Sequence, residues 1–268
     1  MTQSIRKFIR PRQQPILASV PDGQRVYAIG DIHGRNDLFL DLIEAIERDD
    51  AARGPAQTTV ILLGDLVDRG PDSAGVIATA REWRDYRTVR IIAGNHEEMF
   101  LLSFRRTTAL RSFLRYGGEE TILSYPVDAQ AFRMAELEQA QELMEAAVPQ
   151  ADRDFIAGFE DSIRIGDYLF VHAGIQPGVA LDEQAVHELR WIREPFLSHA
   201  GSHGCVVVHG HSITDEVDMR HNRIGIDTGA FMSGRLTALG LEGTSRWLLE
   251  TAETAGKVTV SSRQASPA

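Results

Sequence analysis

Five short polar signatures interrupt the apolar runs of this chain: Gly30-Asp31-Ile32-His33-Gly34, Gly64-Asp65-Leu66-Val67-Asp68-Arg69-Gly70, Gly94-Asn95-His96-Glu97, Val171-His172-Ala173-Gly174 and Val208-His209-Gly210-His211. Together they supply Asp31, His33, Asp65, Asn95, His172 and either His209 or His211. Carboxylates mixed with neutral imidazoles suit divalent ions of hard-to-borderline character such as manganese, iron or zinc. The seven candidates exceed what one ion takes. Two ions roughly 3.5–4 Å apart, sharing one carboxylate, form an arrangement suited to phosphate-ester chemistry. Asp31 and His33 stand two apart in what reads as an extended turn, so both can point the same way. The flanking glycines permit tight turns and close backbone approach.

The elements that must position these residues alternate in type. Arg25 to Gly30 and Thr88 to Ala93 read as strands. Thr58 to Gly64 is a nearly continuous apolar run, as expected for a strand buried on both faces. Leu38, Leu42, Ile43 and Ile46 recur at helical period after the first strand, and a second helix is expected around Ser73 to Arg84, capped by Asp72 or Ser73. Strands alternating with helices imply βαβ units and a largely parallel sheet. In such sheets ligands bind beyond the carboxyl ends of the strands, so the first three signatures should converge. Glu97 to about Gly158 reads as mainly helical. Strands return at Ser162–Ile165, Tyr168–His172, Cys205–Val208, Arg223–Ile226, Leu236–Leu241 and Ser245–Leu249, and this half is expected to form a second sheet packed on the first.

At 268 residues, against a prior of ~150 per domain, the chain is one large domain or two small ones, and no linker divides it. The expected division is an N-terminal arm over 1–20, one catalytic domain over 21–251 and a flexible tail over 252–268, in which Lys257-Val258-Thr259-Val260 could add a short edge strand. A hydrophobic fraction of 43% with 25% charged residues excludes disordered and low-complexity classes. No apolar run approaches the ~20 residues of a membrane span, and no secretory leader is evident, so a cytoplasmic protein with no membrane partner is expected. The single cysteine, Cys205, excludes an intramolecular disulfide and a cysteine-based zinc cluster, and reads as a buried structural thiol. A net charge of −10 disfavours a nucleic-acid polymer as partner but not an anionic small substrate, because bound cations invert the local potential.

Taken in order, GDIHG, GDLVDRG, GNHE, VHAG and VHGHS resemble the phosphoprotein phosphatase branch of the metallophosphoesterases, and within it the bacterial and phage-type serine/threonine protein phosphatases. The resemblance runs from about Val26 to Leu241 and takes in RYGGEETILSY, LRWIREPF and RIGIDTGA. It implies an αββα sandwich of two mixed β-sheets flanked by helices. It also implies that Asp31, His33 and Asp65 hold one divalent ion, with Asp65 bridging to a second held by Asn95, His172 and His211. His209 would stand behind these ligands. His96 would be the general acid, oriented by Asp68, and Arg69 and Arg193 would bind the phosphate. The implied reaction is direct hydrolysis of a phosphate ester by a hydroxide bridging two ions, with manganese the first candidate and iron or zinc the others.

The substrate that follows is a phosphoserine or phosphothreonine protein, with phosphotyrosine or a small phosphoester as extensions, and no obligate partner is evident. Dinucleoside-polyphosphate hydrolases resemble the chain in the same motifs, but that group typically has a nonacidic residue where Asp68 stands. A catalytically silent phosphate-binding scaffold is the remaining alternative, and it should have lost a ligand or the acid. Outside the motifs, His187, His199, His203 and His221 read as structural or solvated, and Trp83 and Trp191 as packing residues. The arginines at 105, 106, 111 and 115 read as a solvated face, and Tyr116, Gly117 and Gly118 as a candidate wall of the cleft.

Overall fold

The computed structural model describes residues 17–265. The first part of the chain alternates strand and helix: β1 (Gln24–Ile29), α1 (Asn36–Ala52), β2 (Gln57–Leu62), α2 (Ser73–Tyr86), β3 (Val89–Ile91) and α3 (Asn95–Ser103). A helical stretch follows, with α4 (Thr107–Phe113), a π turn over Leu114–Gly118, α5 (Glu119–Leu123), α6 (Ala129–Met134), α7 (Leu137–Ala147) and α8 (Gln150–Ala157). Then come β4 (Ser162–Ile165), β5 (Tyr168–Val171), α9 (Val186–Trp191), β6 (Val206–His209), β7 (Asp218–Met219), β8 (Arg223–Gly225), α10 (Ala230–Ser233), β9 (Thr237–Glu242), β10 (Ser245–Thr254) and β11 (Lys257–Gln264). Asp72 caps α2, its side chain accepting from the Gly75 amide at 2.8 Å.

Two mixed sheets result, ordered β11-β10-β9-β1-β2-β3 and β4-β5-β6-β8-β7. β1, β2 and β3 run parallel, as do β5, β6 and β8. Strand periodicity sorts their side chains between three cores. Val26 and Ala28 of β1, with Ile61 of β2 and Leu239 and Leu241 of β9, meet Tyr168, Phe170, Val206, Val208 and Ile224 of the other sheet. The alternate residues Tyr27, Ile29, Val60 and Leu62 face Leu38, Phe39, Leu42 and Ile46 of α1 and Val76, Ile77 and Trp83 of α2. On the far side, Leu169, Val171 and Val207 pack on Leu189, Ile192 and Phe196. The layers are therefore helix, sheet, sheet, helix, as the resemblance implies.

Three expectations need correction. The last strands do not join the second sheet, because β9 pairs antiparallel with the otherwise open edge of β1, and β10 and β11 extend that sheet outward. Residues 252–264 are not a flexible tail. Ala255 (φ 52°) and Gly256 (φ 74°) make a tight two-residue hairpin, a turn that needs positive φ at both central positions, and Val258 and Val260 pack against the helix-side core. At the other end Val20 is fully buried and its amide donates to Gly243 O at 2.9 Å, so the packed domain begins before residue 21. The remainder of the expected arm, 1–16, and residues 266–268 lie outside the described residues.

Gly240 shows how tightly the outer part of the first sheet is built. It pairs with Trp247, whose indole covers it and donates to Asp49 Oδ2 at 2.8 Å, while the Arg53 guanidinium stacks 3.5 Å from the ring centroid. A Cβ on residue 240 would overlap the indole. Gly240→Ala should therefore lower unfolding free energy by about 1–3 kcal/mol with an unchanged denaturant slope, checked by urea denaturation.

Candidate metal centre

The signature loops all leave the carboxyl ends of parallel strands at one rim. β1 delivers Asp31 and His33, β2 delivers Asp65, Asp68 and Arg69, and β3 leads directly into α3, which opens with Asn95 and His96. β5 delivers His172, β6 delivers His211, and β8 leads to Asp227. The chain bends sharply to do this. Among the described residues six non-glycine positions have clearly positive φ, and five are His33, Asp65, Asp68, Arg69 and His211. Asp31 and His33 thus do not sit in an extended turn, since His33 is left-handed at φ 46°. Conformations of this kind cost ~1–3 kcal/mol each and cluster where a side chain must be aimed.

Asp65 is the centre of the arrangement. Its Oδ2 lies 3.6 Å from His33 Nε2 and 3.9 Å from His96 Nε2, and its Oδ1 lies 3.4 Å from His172 Nε2. Asn95 Oδ1 sits 3.0 Å from the same His172 nitrogen. Two clusters close enough to hold an ion share this carboxylate: His33, Asp65 and His96, and Asp65, His172 and His211. Asp31 is buried beside them, accepting from the His211 amide at 3.1 and 3.2 Å. His209 is in neither cluster; its Nδ1 is 3.0 Å from Gly210 O and its ring packs on Phe196.

The donors are set up for cations. His33 Nδ1 is placed to donate to Val67 O and His172 Nδ1 to Leu63 O, each at 2.8 Å, which assigns the proton to Nδ1 and leaves Nε2 as the lone pair facing Asp65. Burial pushes His33 and His211 down to about 3, so both are neutral, as a ligand must be. Burial also drives Asp31 well above the usual carboxylate range, with Asp227 and Asp65 repelling its charge, and pushes Asp227 up to about 6. Burial alone would lower His172, but Asp65 and Asp31 outweigh it and lift it to about 10. The cluster thus carries more negative charge than it can keep without a counter-cation, and takes a proton at His172 when none is supplied. This donor set fits divalent ions.

Around it lie the residues given roles from the sequence, Asp68, Arg69 and Arg193, and others left without one, Glu97, Thr121 and Asp227. Glu97, fully buried, accepts from the amides of Gly94 (2.8 Å), Asp65 (2.9 Å) and Leu66 (2.7 Å), and so ties the turn carrying the shared carboxylate to the start of α3. Asp68 accepts from His96 Nδ1 at 2.6 Å and from Thr121 Oγ1 at 2.6 Å, while its amide donates to Ser73 Oγ and Thr121 Oγ1. Burial raises Asp68 to about 6. Arg69 reaches His33 Nε2 and His96 Nε2, each at 3.0 Å, and Arg193 donates to Ser212 Oγ and His211 O. A cleft opens over these groups, walled by Tyr116, Trp191, Arg193 and Ile213. Trp191 is therefore more than a packing residue: it lines the cleft and anchors its Nε1 on Glu98 at 3.2 Å. The signal for Glu97, Thr121 and Asp227 was their position inside GNHE, RYGGEET and RIGIDTGA.

The calcineurin-like phosphoesterase family profile matches residues 24–231. The chain belongs to that family. Among curated relatives, it is 30% identical over 201 residues to a zinc-dependent endopolyphosphatase of Saccharomyces cerevisiae, covering 66% of this chain and 59% of that one. It is 31% identical over 113 residues to serine/threonine-protein phosphatase 1 of Salmonella typhimurium, covering 42% and 47%. It is 30% identical over 176 residues to a symmetrical bis(5'-nucleosyl)-tetraphosphatase of an Acidovorax species, covering 66% and 49%. The chain thus spans about half the length of these relatives. A cold-active protein tyrosine phosphatase of known structure superposes with a TM-score of 0.57 at 19% identity, over 97% of this chain and 90% of that one, which shows the shared fold. Members of this family use a dinuclear divalent metal centre.

Two outcomes follow. Manganese added to metal-depleted protein at a hundredfold excess over its Kd should raise stability by about 2.7 kcal/mol, read as a rise in Tm, and Asp65→Asn should abolish most of it. An unchanged Tm in the wild type would mean that these donors do not form a cation site. Glu97→Gln replaces an all-acceptor carboxylate facing three amides with a group that must turn a donor toward one of them. It should cost about 1–3 kcal/mol in chemical denaturation and weaken manganese binding by calorimetry.

Proposed function

We propose that this calcineurin-like phosphoesterase is a phosphomonoesterase acting on phosphoserine and phosphothreonine in proteins, with aryl phosphates as secondary substrates. The observation that carries the reading is the His96–Asp68 pair. A serine alkoxide is a poor leaving group and needs a proton. His96 Nδ1 is held at 2.6 Å by a buried Asp68 that is itself fixed by Thr121, so Nε2 is aimed toward the cleft. Burial favours neutral His96, but Asp65 and Asp68 outweigh it and raise its pKa, the direction an acid needs.

The ligands proposed are Asp31, His33 and Asp65 for one ion and Asp65, Asn95, His172 and His211 for the other, with manganese first and iron or zinc next. When bound, such a pair lowers the pKa of water and neutralises charge on the phosphoryl group. The chain's own part is orientation and proton transfer. Arg69 and Arg193 bind phosphoryl oxygens through their forked donors. An arriving phosphoryl group takes the Arg69 donors that now point at His33 and His96. That frees His96 Nε2 to carry a proton and pass it to the departing oxygen, while Asp68 stabilises the imidazolium.

The second reading, hydrolysis of a dinucleoside tetraphosphate, is favoured by the similarity to the tetraphosphatase of Acidovorax. A silent scaffold is disfavoured because the sequence lacks none of the proposed donors nor either member of the acid pair. Among the described residues no helix is long and apolar enough to cross a membrane. A cytoplasmic phosphoprotein substrate, with no membrane, nucleic-acid polymer or obligate partner, accords with the composition.

With manganese, phosphate release from a phosphoserine peptide should exceed cleavage of diadenosine tetraphosphate; selective cleavage of the dinucleotide would replace the first reading with the second. His96→Asn should lower kcat on the phosphopeptide by about 10²–10⁴-fold and on p-nitrophenyl phosphate far less, since that leaving group needs little protonation. Equal losses on both would remove His96 from the acid role.

A further inference from the structure

Phe231 stands outside every motif role, yet its ring touches two of the site's side chains. The Arg69 guanidinium lies over its face, 4.8 Å from the centroid, and the His33 imidazole meets it edge-on at 5.5 Å and 83°. The ring is half-buried, beside the Arg69 side chain that lines the cleft.

The turn that carries Phe231 is held on both sides. Asp227 Oδ1 accepts from the Gly229 amide at 3.0 Å, Ser233 Oγ donates to Thr228 O at 2.7 Å, and Arg35 Nη1 donates to Ala230 O at 3.1 Å. Arg35 is itself anchored by Asp37 and Glu253. The ring is thus a fixed platform.

Arg69 needs such a platform. Its amide donates to Gly117 O at 2.9 Å and its backbone is left-handed at φ 70°, which fixes the start of the side chain. The far end is long, rotamer-rich and bonded only to His33 Nε2, which an ion would claim, and to His96 Nε2, which the acid role requires to be released. An aromatic face beneath a guanidinium lowers the cost of ordering it without competing for its N–H donors, because the attraction is to the ring's π face.

We infer that Phe231 is a positioning residue that holds the Arg69 guanidinium flat, with its N–H donors uncommitted to the platform, for a phosphoryl group. The inference rests on Arg69 binding phosphate in the proposed reaction.

The test is a double-mutant cycle in the manganese-loaded, full-length protein, with inorganic phosphate as the probe and its Kd read by calorimetry. Phe231→Leu keeps apolar cover over His33 but removes the π face. It should weaken phosphate binding by about 3- to 30-fold, the range of one cation–π contact, and raise KM for p-nitrophenyl phosphate with little change in kcat. Phe231→Tyr should restore both, and manganese affinity should stay at the wild-type value in each variant. In an Arg69→Ala background Phe231→Leu should have no further effect on phosphate binding.

An equal Phe231→Leu loss with and without Arg69 would overturn the inference, as would a loss of manganese affinity that accounts for the phosphate effect. If Arg69→Ala weakens phosphate and Phe231→Leu does not, the inference fails and the role of Arg69 stands. If Arg69→Ala itself leaves phosphate binding unchanged, both fail together.

Discussion

The Asp65 carboxylate is the constraint on which the rim depends. It is buried, its two oxygens face different sets of imidazole nitrogens, and burial raises the proton affinity of two further carboxylates, Asp31 and Asp227, with the Asp65 charge adding to the rise at each. Burying an unpaired charge is among the costliest things a fold can do. Here the cost is met only when positive charge arrives from outside the chain or a proton settles on His172. Cation affinity is thus a consequence of how the sheet ends are packed rather than of any one ligand.

A single segment organises most of this. Leu63 and Val67 offer the carbonyls that set the tautomers of His172 and His33; between them Asp65 supplies the shared carboxylate; beyond them Asp68 holds His96, and Arg69 spans His33 and His96. So dense a set of duties over seven residues requires left-handed backbone at three non-glycine positions among them, Asp65, Asp68 and Arg69. Strain of that kind persists only where the surroundings over-determine it. Glu97 meets that need by accepting two amides of the segment together with that of Gly94, and Thr121 and Ser73 complete it at Asp68. The segment leaves the end of β2 and runs into α2, while Glu97 stands on the first turn of α3, just beyond β3.

The strand ends and the polar donor residues that follow them were legible because local sequence carries both signals at once: an apolar run buried on two faces, then a glycine-bounded polar turn. The β1–β2–β3 order and the first two helices follow from periodicity for the same reason. Of the C-terminal hairpin only a short edge strand at Lys257 to Val260 was legible, not its full length. Lys257–Gln264 is mostly exposed, and only Val258 and Val260 contact the core, so its order comes from pairing with β10 across a tight turn. The choice of sheet for β9 was hidden as well, since it depends on which edge remains open. Glu97, Thr121 and Phe231 act through residues 32, 53 and 162 positions away in the chain (Asp65, Asp68 and Arg69). No spacing rule reaches that far, and only packing reveals the partner.

For a protein of net charge −10, the anionic substrate proposed above requires attraction that is local. The protein's arginines divide accordingly. Arg87 is committed to Glu47 and Asp50, and Arg25 to Asp50 and Glu242, ion pairs that fasten α1 to neighbouring strands and helices. Arg69 and Arg193 instead bond imidazole nitrogens, a serine hydroxyl and a backbone carbonyl. The distinction matters energetically. A phosphate would have to displace a carboxylate from the first kind of arginine, losing one charge-assisted bond for each gained. From the second kind it displaces neutral acceptors, and the difference between neutral and charge-assisted bonds remains as binding energy. The cleft arginines are therefore held in place without being neutralised, which lets a strongly acidic surface enclose an anion-binding site.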